Sequence, residues 1–424
     1  MSKIEKLIKV LCPNGIIFKT IGEICETITD YVAAGSFKDL SNNVKYLKEP
    51  DYAMLIRTTD IKSNFKGDKF IYINEAAFNY LWRVNLDKES IVLPNIGNCG
   101  EVYYLTPNDL PYKRCALATN SILVRSKQVN MKYLKHIFLA KDFQTQLKKI
   151  ISPSGQTKFN KTDLKKLKIP VPPLEVQEEI VRILDKFGEL EAELEAELEA
   201  RKSQYEFWRD KLFEQNVKEK YIFEDILKSL KTGLNPRKFF KVNTVDAVNY
   251  YVTVKELGER NVRYWESKDK INSEGLQRIN ERSNLEVNDV LFSGTGTIGK
   301  VSLIEKEPKN WNVKEGVYIL KPKKEKVIPT YLMYLMRSNY MKKLYSDYIV
   351  GSPVSSIPMK ELKKIKISLP SLQEQERIVN ILDKFDKLVN DISEGLPAEI
   401  EARRKQYEYY RNKLLSFEEL VVNG

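Results

Sequence analysis

The run Gly294-Thr295-Gly296-Thr297-Ile298-Gly299-Lys300 fills the first seven positions of a phosphate-cradling loop, in which glycine amides and a lysine hold a nucleotide. The eighth position needs a Ser or Thr for magnesium and is Val301. A β-rich run follows where a helix should start, and the matching place upstream holds Glu101. The spacing therefore reads as a glycine turn between two strands, able to come close to a DNA backbone. Acid–base chemistry is scarce. His136 is the single histidine and lies in a helical pattern that favours a structural role; no G-x-S-x-G, H-E-x-x-H or calcium-loop spacing occurs. Asn235-Pro236 runs on into Arg237, not into the Pro-aromatic pair that amino-methyltransferases set against a flipped base. Cys12, Cys25, Cys99 and Cys115 form no C-x-x-C pair, so neither a disulfide framework nor a zinc site is expected. No catalytic residue, cofactor or metal is expected, and a reduced, cytoplasmic location fits.

What remains is binding chemistry. Among 424 residues, 70 Lys and Arg stand against 58 Asp and Glu, a net charge of +12 that favours polyanions. Cations alternate with polar residues in presumptive loops, the residue types that reach phosphates and base edges. In the first half these are Arg57, Thr58, Lys62, Lys66, Asn95, Asn98, Lys113, Arg114, Gln156 and Lys158. In the second half they are Lys255, Arg260, Arg263, Thr295, Thr297 and Lys300, with Arg237, Lys238, Arg278 and Arg282 nearby. For any one of these an ordinary solvated charge is the better reading; the set points to nucleic acid. No stretch is apolar enough to span a membrane.

The elements that must position these residues are written twice. Leu164–Phe187 (LKKLKIPVPPLEVQEEIVRILDKF) returns at Leu362–Phe385 (LKKIKISLPSLQEQERIVNILDKF), and Glu199–Leu212 (EARKSQYEFWRDKL) returns at Glu401–Leu414 (EARRKQYEYYRNKL). This is a tandem duplication spanning the chain. Each shared segment carries an apolar stripe at helical spacing. In the first it is Ile180, Leu184, Phe187, Leu194, Leu198, Tyr205, Trp208 and Leu212. In the second it is Ile378, Leu382, Phe385, Val389, Ile392, Tyr407, Tyr410 and Leu414. A helix from Glu175 to Phe213 would be roughly 58 Å long, more than one small domain's face requires. The two stripes are expected to pack on each other as an antiparallel coiled coil; the alternative is that each folds back on its own domain. Glu189–Ala200 repeats Glu-Leu-Glu-Ala three times, which adds length and no chemistry. The second copy has Gly395 and Pro397 there, which should interrupt its helix, and Ser371 with Glu374 offers it a capping box.

The variable parts alternate short β-rich runs with Gly, Asn and Pro: Tyr52–Ile56, Ser90–Leu93, Val102–Leu105 and Ser121–Val124, then Tyr250–Val254, Val290–Phe292, Val301–Ile304 and Val317–Leu320. Each closes with a helical segment, Met131–Lys149 or Pro329–Tyr348. The expected class is α+β, with two recognition domains of mixed, mostly antiparallel sheet plus helices, separated by two long helices in an internal two-fold repeat. The expected divisions are 1–172 and 216–370 for the recognition domains, and 173–215 and 371–424 for the helical spacers.

The motif Pro173-Leu174-Glu175-Val176-Gln177-Glu178-Glu179-Ile180 has its counterpart in Leu372-Gln373-Glu374-Gln375-Glu376-Arg377-Ile378. Together with the Ile-Leu-Asp-Lys-Phe runs at Ile183 and Ile381 and the Tyr-Glu-aromatic-aromatic-Arg runs at Tyr205 and Tyr407, it resembles the specificity subunits of type I restriction-modification systems. The resemblance covers nearly the whole chain. It implies a non-catalytic subunit that reads a split, asymmetric sequence in double-stranded DNA with one domain per half-site. It further implies that the helices recruit two methyltransferase subunits, that restriction subunits join the full complex, and that the rod sets the half-site spacing. Other readings of the residues are a non-catalytic coiled-coil scaffold binding RNA or DNA and a phosphate-loop enzyme, the latter disfavoured by Val301 and Glu101.

Overall fold

The β-branched and aromatic runs form short strands that stack into the same three sheets twice. A computed structural model of the chain describes residues 3–152, 155–214, 219–351, 353–391 and 393–420. In the first half the strands are β1 (Phe18–Thr20), β2 (Thr27–Asp30), β3 (Ala53–Ile56), β4 (Ile71–Ile73), β5 (Ser90–Pro94), β6 (Tyr103–Leu105), β7 (Cys115–Leu117), β8 (Ser121–Arg125) and β9 (Lys168–Pro170). They assemble as a four-stranded sheet β2-β8-β5-β6, a three-stranded sheet β4-β3-β7 and the pair β1-β9. The second half has β10 (Lys220–Ile222), β11 (Leu227–Thr232), β12 (Asn249–Val252), β13 (Lys270–Ile271), β14 (Val290–Ser293), β15 (Val301–Leu303), β16 (Trp311–Val313), β17 (Val317–Pro322) and β18 (Lys366–Ser368). Its sheets are ordered β11-β17-β14-β15, β13-β12-β16 and β10-β18. Even the single parallel pairing recurs, β3 with β7 and β12 with β16. All eight strands expected from the sequence are present, shifted by one or two residues at their ends.

The expected helical segments are each two helices. Met131–Leu139 stops at Ala140 and Lys141–Ile150 begins; Pro329–Arg337 stops at Ser338 and Asn339–Ser346 begins. Both junction residues are extended, with ψ near 150°. The two breaks are held by side chains from the long helices: Asn412 Oδ1 accepts from Lys141 N at 3.0 Å, and Asp210 Oδ1 accepts from Asn339 N at 2.9 Å. Each bond satisfies an amide that the first helical turn leaves unpaired.

The first long helix is continuous over Leu174–Phe213, 40 residues. The second is interrupted, as Gly395 and Pro397 suggested: Leu372–Asn390 ends and Leu396–Leu414 begins. A Cβ on Gly395 would lie within 2.8 Å of the carbonyl oxygens of Lys387, Leu388 and Asp391, so the break is closed over those carbonyls by a residue without a side chain. Ser371 caps as expected, accepting from Glu374 N at 3.3 Å. The reciprocal half of the box is replaced, because the Glu374 carboxylate is held by Arg377.

Contacts divide the chain into two compact units. One contains residues up to Glu193 together with those from Glu401 onward; the other runs from Leu194 to Ile400. Each unit is thus completed by the end of the long helix that belongs to the other copy. In the first unit Val176, Ile180 and Leu184 share a core with Tyr407, Leu414 and Leu415. Phe187 stacks on Tyr410 at 5.4 Å while Glu191 pairs with Arg404 at 2.6 Å, so the two segments run antiparallel. In the second unit Ile378, Leu382, Phe385 and Val389 pack in one core with Leu198, Tyr205, Leu212 and Phe213. Trp208 is not part of it and is 39% exposed. The buried stripe runs through Tyr205, Arg209 and Leu212, which puts Trp208 about 70° off its centre. It lies instead against Phe207 with Lys211 above its ring. Leu194 is half-buried, and Ile392 lies outside the described residues.

The shared motifs have structural causes. Buried Gln177 accepts from Asn130 N and donates to Pro172 O, and buried Gln375 accepts from Ile328 N and donates to Lys326 O and Pro370 O. Each glutamine satisfies backbone groups just ahead of a neighbouring helix, where an unpaired one would cost about 1–3 kcal/mol. His136 is structural as expected. Its Nε2 meets Asp185 Oδ1 at 2.9 Å, its Nδ1 meets the Tyr407 hydroxyl at 3.0 Å, and the side chain is 1% exposed. The second unit has Tyr334 in that place, donating to Asp383 at 2.7 Å. Burial outweighs the Asp185 hydrogen bond and pushes the imidazole down to about 4. The folded pKa lies below the unfolded one of about 6.5, so the contribution of a neutral His136 is complete above pH 6.5 and is lost as pH falls towards 4. Urea unfolding between pH 7 and pH 4.5 should therefore show a loss of up to about 3 kcal/mol that is absent in His136→Gln.

Candidate nucleic-acid interface

Each four-stranded sheet has a glycine turn at one end. Between β5 and β6, Gly97 and Gly100 have φ of 85° and 107°; between β14 and β15, Gly296 and Gly299 have φ of 78° and 98°. Side chains rarely adopt these values, which is the reason for the glycine spacing. No helix follows either turn, and Lys300 N donates to Ser293 Oγ within the hairpin at 2.8 Å. The seven-residue phosphate-loop match is therefore a strand–turn–strand, as its sequence context indicates. Gly294 sits where the Tyr318 ring leaves no room, 2.2 Å from an added Cβ.

Both turns are pinned by a second loop. Gly97 N donates to Thr157 O at 2.9 Å and the Thr157 hydroxyl returns to Gly97 O at 2.6 Å; Gly296 N donates to Ser355 O at 2.8 Å. This brings Asn95, Asn98, Gln156 and Lys158 together at one end of the first unit's sheet. Asn95 Nδ2 is engaged by Phe159 O, while its buried Oδ1 has no partner. Lys62 joins the group by pairing with Glu101 at 2.7 Å, and Glu101 also accepts from Tyr103. The ammonium and hydroxyl hold the Glu101 carboxyl below its ordinary range against the effect of its partial burial.

Other expected contacts are spoken for or stand apart. Arg57 binds Asp60 through two nitrogens and also reaches Lys69 O, an arrangement that locks the start of the short Thr58–Lys62 helix and fixes Thr58 at its first position. Arg114 lies over the Tyr52 ring at 4.3 Å beside exposed Lys113, just ahead of β7. Lys66 is exposed after the left-handed pair Asn64 and Phe65.

In the second unit Lys255, Thr295, Thr297 and Lys300 line one cleft of about 880 Å³. Lys268 and Lys314, which the sequence did not single out, join them. Four carboxylates share the cleft. Glu256 is turned onto the Thr253 amide and hydroxyl, Asp269 accepts from Asn243, and Glu266 faces Arg263 at 3.4 Å. Those three are committed to protein groups, whereas among the described residues the four lysines make no ion pair.

Arg260 leaves the candidate set. Its guanidinium pairs with Glu305 and Asp383, each at 2.7 Å, donates to the Tyr334 hydroxyl and lies 3.9 Å from Asp386. Partners on the Leu372–Asn390 helix, more than 120 residues away in sequence, turn this arginine into a brace. Arg278 is likewise paired, with Glu274, and the side chain of Arg237 lies outside the described residues. The four cysteines are unbonded. Among the described residues no group of side chains could hold a metal, and no helix is long and apolar enough to cross a membrane. Gly294→Ala should cost about 1–3 kcal/mol in urea unfolding, since the Tyr318 ring must move.

Residues 13–200 and 218–402 match the family described as Type I restriction modification DNA specificity domain. A type I restriction enzyme specificity subunit of Haemophilus influenzae is 32% identical over 310 residues, 69% of this chain and 73% of that one. A type I restriction enzyme specificity subunit of Escherichia coli is 36% identical over 265 residues, 60% of this chain and 63% of that one. A chain from a structure on complex assembly and conformational transition of the type I R-M system superposes with a TM-score of 0.62. The superposition covers 95% of this chain and 98% of that one at 14% identity, a likeness of fold.

Proposed function

The chain belongs to the type I restriction-modification DNA specificity family, and on that premise we propose that its two units read the two halves of a split, asymmetric DNA sequence through their glycine-turn faces. It is a DNA sequence-recognition subunit of a restriction-modification complex. The observation that carries the finer reading is identical topology furnished with unlike side chains. Both units place a glycine turn against a pinning loop, yet Glu101 in the first stands where Lys300 stands in the second. A shared scaffold with different polar contacts is what two different half-sites require, because phosphate contacts position a protein and base contacts specify.

In this reading residues 1–172 and 216–370 are the recognition domains, and 173–215 and 371–424 are spacers. The shared helices bind two methyltransferase subunits, with restriction subunits joining the full complex in the cytoplasm. Base flipping and methyl transfer belong to those partners, and this chain contributes no catalytic group. The uninterrupted Glu-Leu-Glu-Ala block supports a ruler, since each tetrad adds about 6 Å and turns the downstream helix by roughly 40°.

Two experiments test it. Pull-down with the methyltransferase subunit of the same cell, then methylome sequencing with and without this chain, should reveal a split asymmetric motif only in its presence; a symmetric motif, or none, would refute the reading. Inserting one Glu-Leu-Glu-Ala unit should lengthen the spacer between half-sites by a base pair or two, since duplex DNA rises about 3.4 Å per step. An unchanged spacer would rule out the ruler.

A further inference from the structure

Where the end of the first long helix meets the second unit's sheet, a pocket of about 340 Å³ opens beside the glycine turn. Arg209, Arg263, Lys300, Arg337 and Lys342 line it against two carboxylates, Glu206 and Glu259. Two of the cations are nearly enclosed: Arg337 is 8% exposed and Arg209 is 9% exposed. Burying a guanidinium is costly unless an anion compensates it. Arg337 donates to neutral acceptors, Val301 O at 2.8 Å and Gly258 O at 3.4 Å, and the carboxylate that acts on it, buried Asp386, is shared with Arg260. Arg209 reaches Asp210 at 3.4 Å, but both oxygens of that carboxylate already accept from Asn339 at 2.9 and 2.6 Å. Five cations line the pocket against two carboxylates, the outlying Asp210 and Asp386 are each shared with other donors, and Glu266 faces Arg263, so its wall carries an excess of positive charge.

The duplication supplies an internal control. Matching positions in the first unit are Leu139 for Arg337, Gln144 for Lys342 and Glu101 for Lys300, while Arg411 matches Arg209. The geometry is preserved there, with Gln144 Nε2 on Gly100 O at 3.0 Å and Arg411 over the Tyr407 ring as Arg209 is over Tyr205. The fold thus does not need these three cations at these places. Lys300 lines both this pocket and the 880 Å³ cleft, so the two adjoin at that residue.

We propose that the pocket binds one phosphate of the DNA backbone, in the second unit only, and so fixes the register of the duplex against the long helix through Arg209. The proposal rests on the DNA-reading function. Contact with a phosphate positions DNA without reading sequence, so it belongs on a surface that differs from the base-reading cleft while adjoining it.

The test uses the full chain and a variant given the first unit's residues, Lys300→Glu with Arg337→Leu and Lys342→Gln. Lys342→Gln alone, at an exposed position, guards against a folding defect. Thermal unfolding is followed in inorganic phosphate and in chloride at equal ionic strength, and affinity for a mixed-sequence duplex of about 40 base pairs is followed against salt. Phosphate should raise the wild-type midpoint, raise that of Lys342→Gln less and leave the triple variant unmoved. The slope of log affinity against log salt should become shallower by about 0.9 per lost phosphate contact. Equal phosphate shifts in all three chains, or none, would overturn the pocket whatever the chain's function. A phosphate shift lost in the variant with an unchanged DNA slope would mark a free-anion site and overturn the assignment to DNA alone. Phosphate binding by a wild-type chain that binds no duplex would overturn it together with the functional reading.

Discussion

Each long helix is one half-core short of completion. The stripe beginning at Ile180 and Leu184 is closed by Tyr407, Leu414 and Leu415 from the other copy, and the stripe at Ile378 and Leu382 is closed by Tyr205, Leu212 and Phe213. Burying a large apolar side chain fully contributes about 1.5–3 kcal/mol, so the borrowed segment adds several kcal/mol to each unit. The exchange also supplies polar joints that a lone copy would lack. Asn412 and Asp210 hold the breaks at Ala140 and Ser338, and Tyr407 completes the contact of His136. Duplication here has produced mutual dependence, with each copy building its own sheets and finishing the other's core.

That division of labour explains where the copies agree and where they diverge. Residues that close cores or satisfy buried backbone, such as Gln177 and Gln375, are shared. Residues on the glycine-turn faces are not, and Glu101 and Lys300 carry opposite charge on the same scaffold. A surface freed from the work of folding can vary without cost to the core, so the chemistry at the clefts differs while topology is retained.

Much of this is legible in the sequence because it rests on local rules. The helix stripes, the interruption at Gly395 and Pro397, the positive-φ glycines and most strands follow from spacing and residue type alone. What could not be read depends on partners distant in the chain. A stripe does not name what covers it, so the exchange of helix ends is invisible to periodicity. Nothing about Ala140 announces a break, because the side chain that holds it is Asn412. Trp208 satisfies an i+3 count from Tyr205, but the stripe continues through the stem of Arg209 at i+4. Arg260 looks like a free cation until Asp383 and Glu305 are brought to it.

The asymmetry of the two helices extends to their mechanics. Over Leu174–Phe213 every turn is bonded to the next, and a helix so made resists both flexion and torsion along its length. Between Asn390 and Leu396 that ladder lapses, and the bonds of Gly395 N to Asp391 O and of Ala398 N to Gly395 O stitch the break. One helix is therefore a single hydrogen-bonded rod over its length, and the other is two shorter rods with a joint between them, where a bend need not break a helical bond.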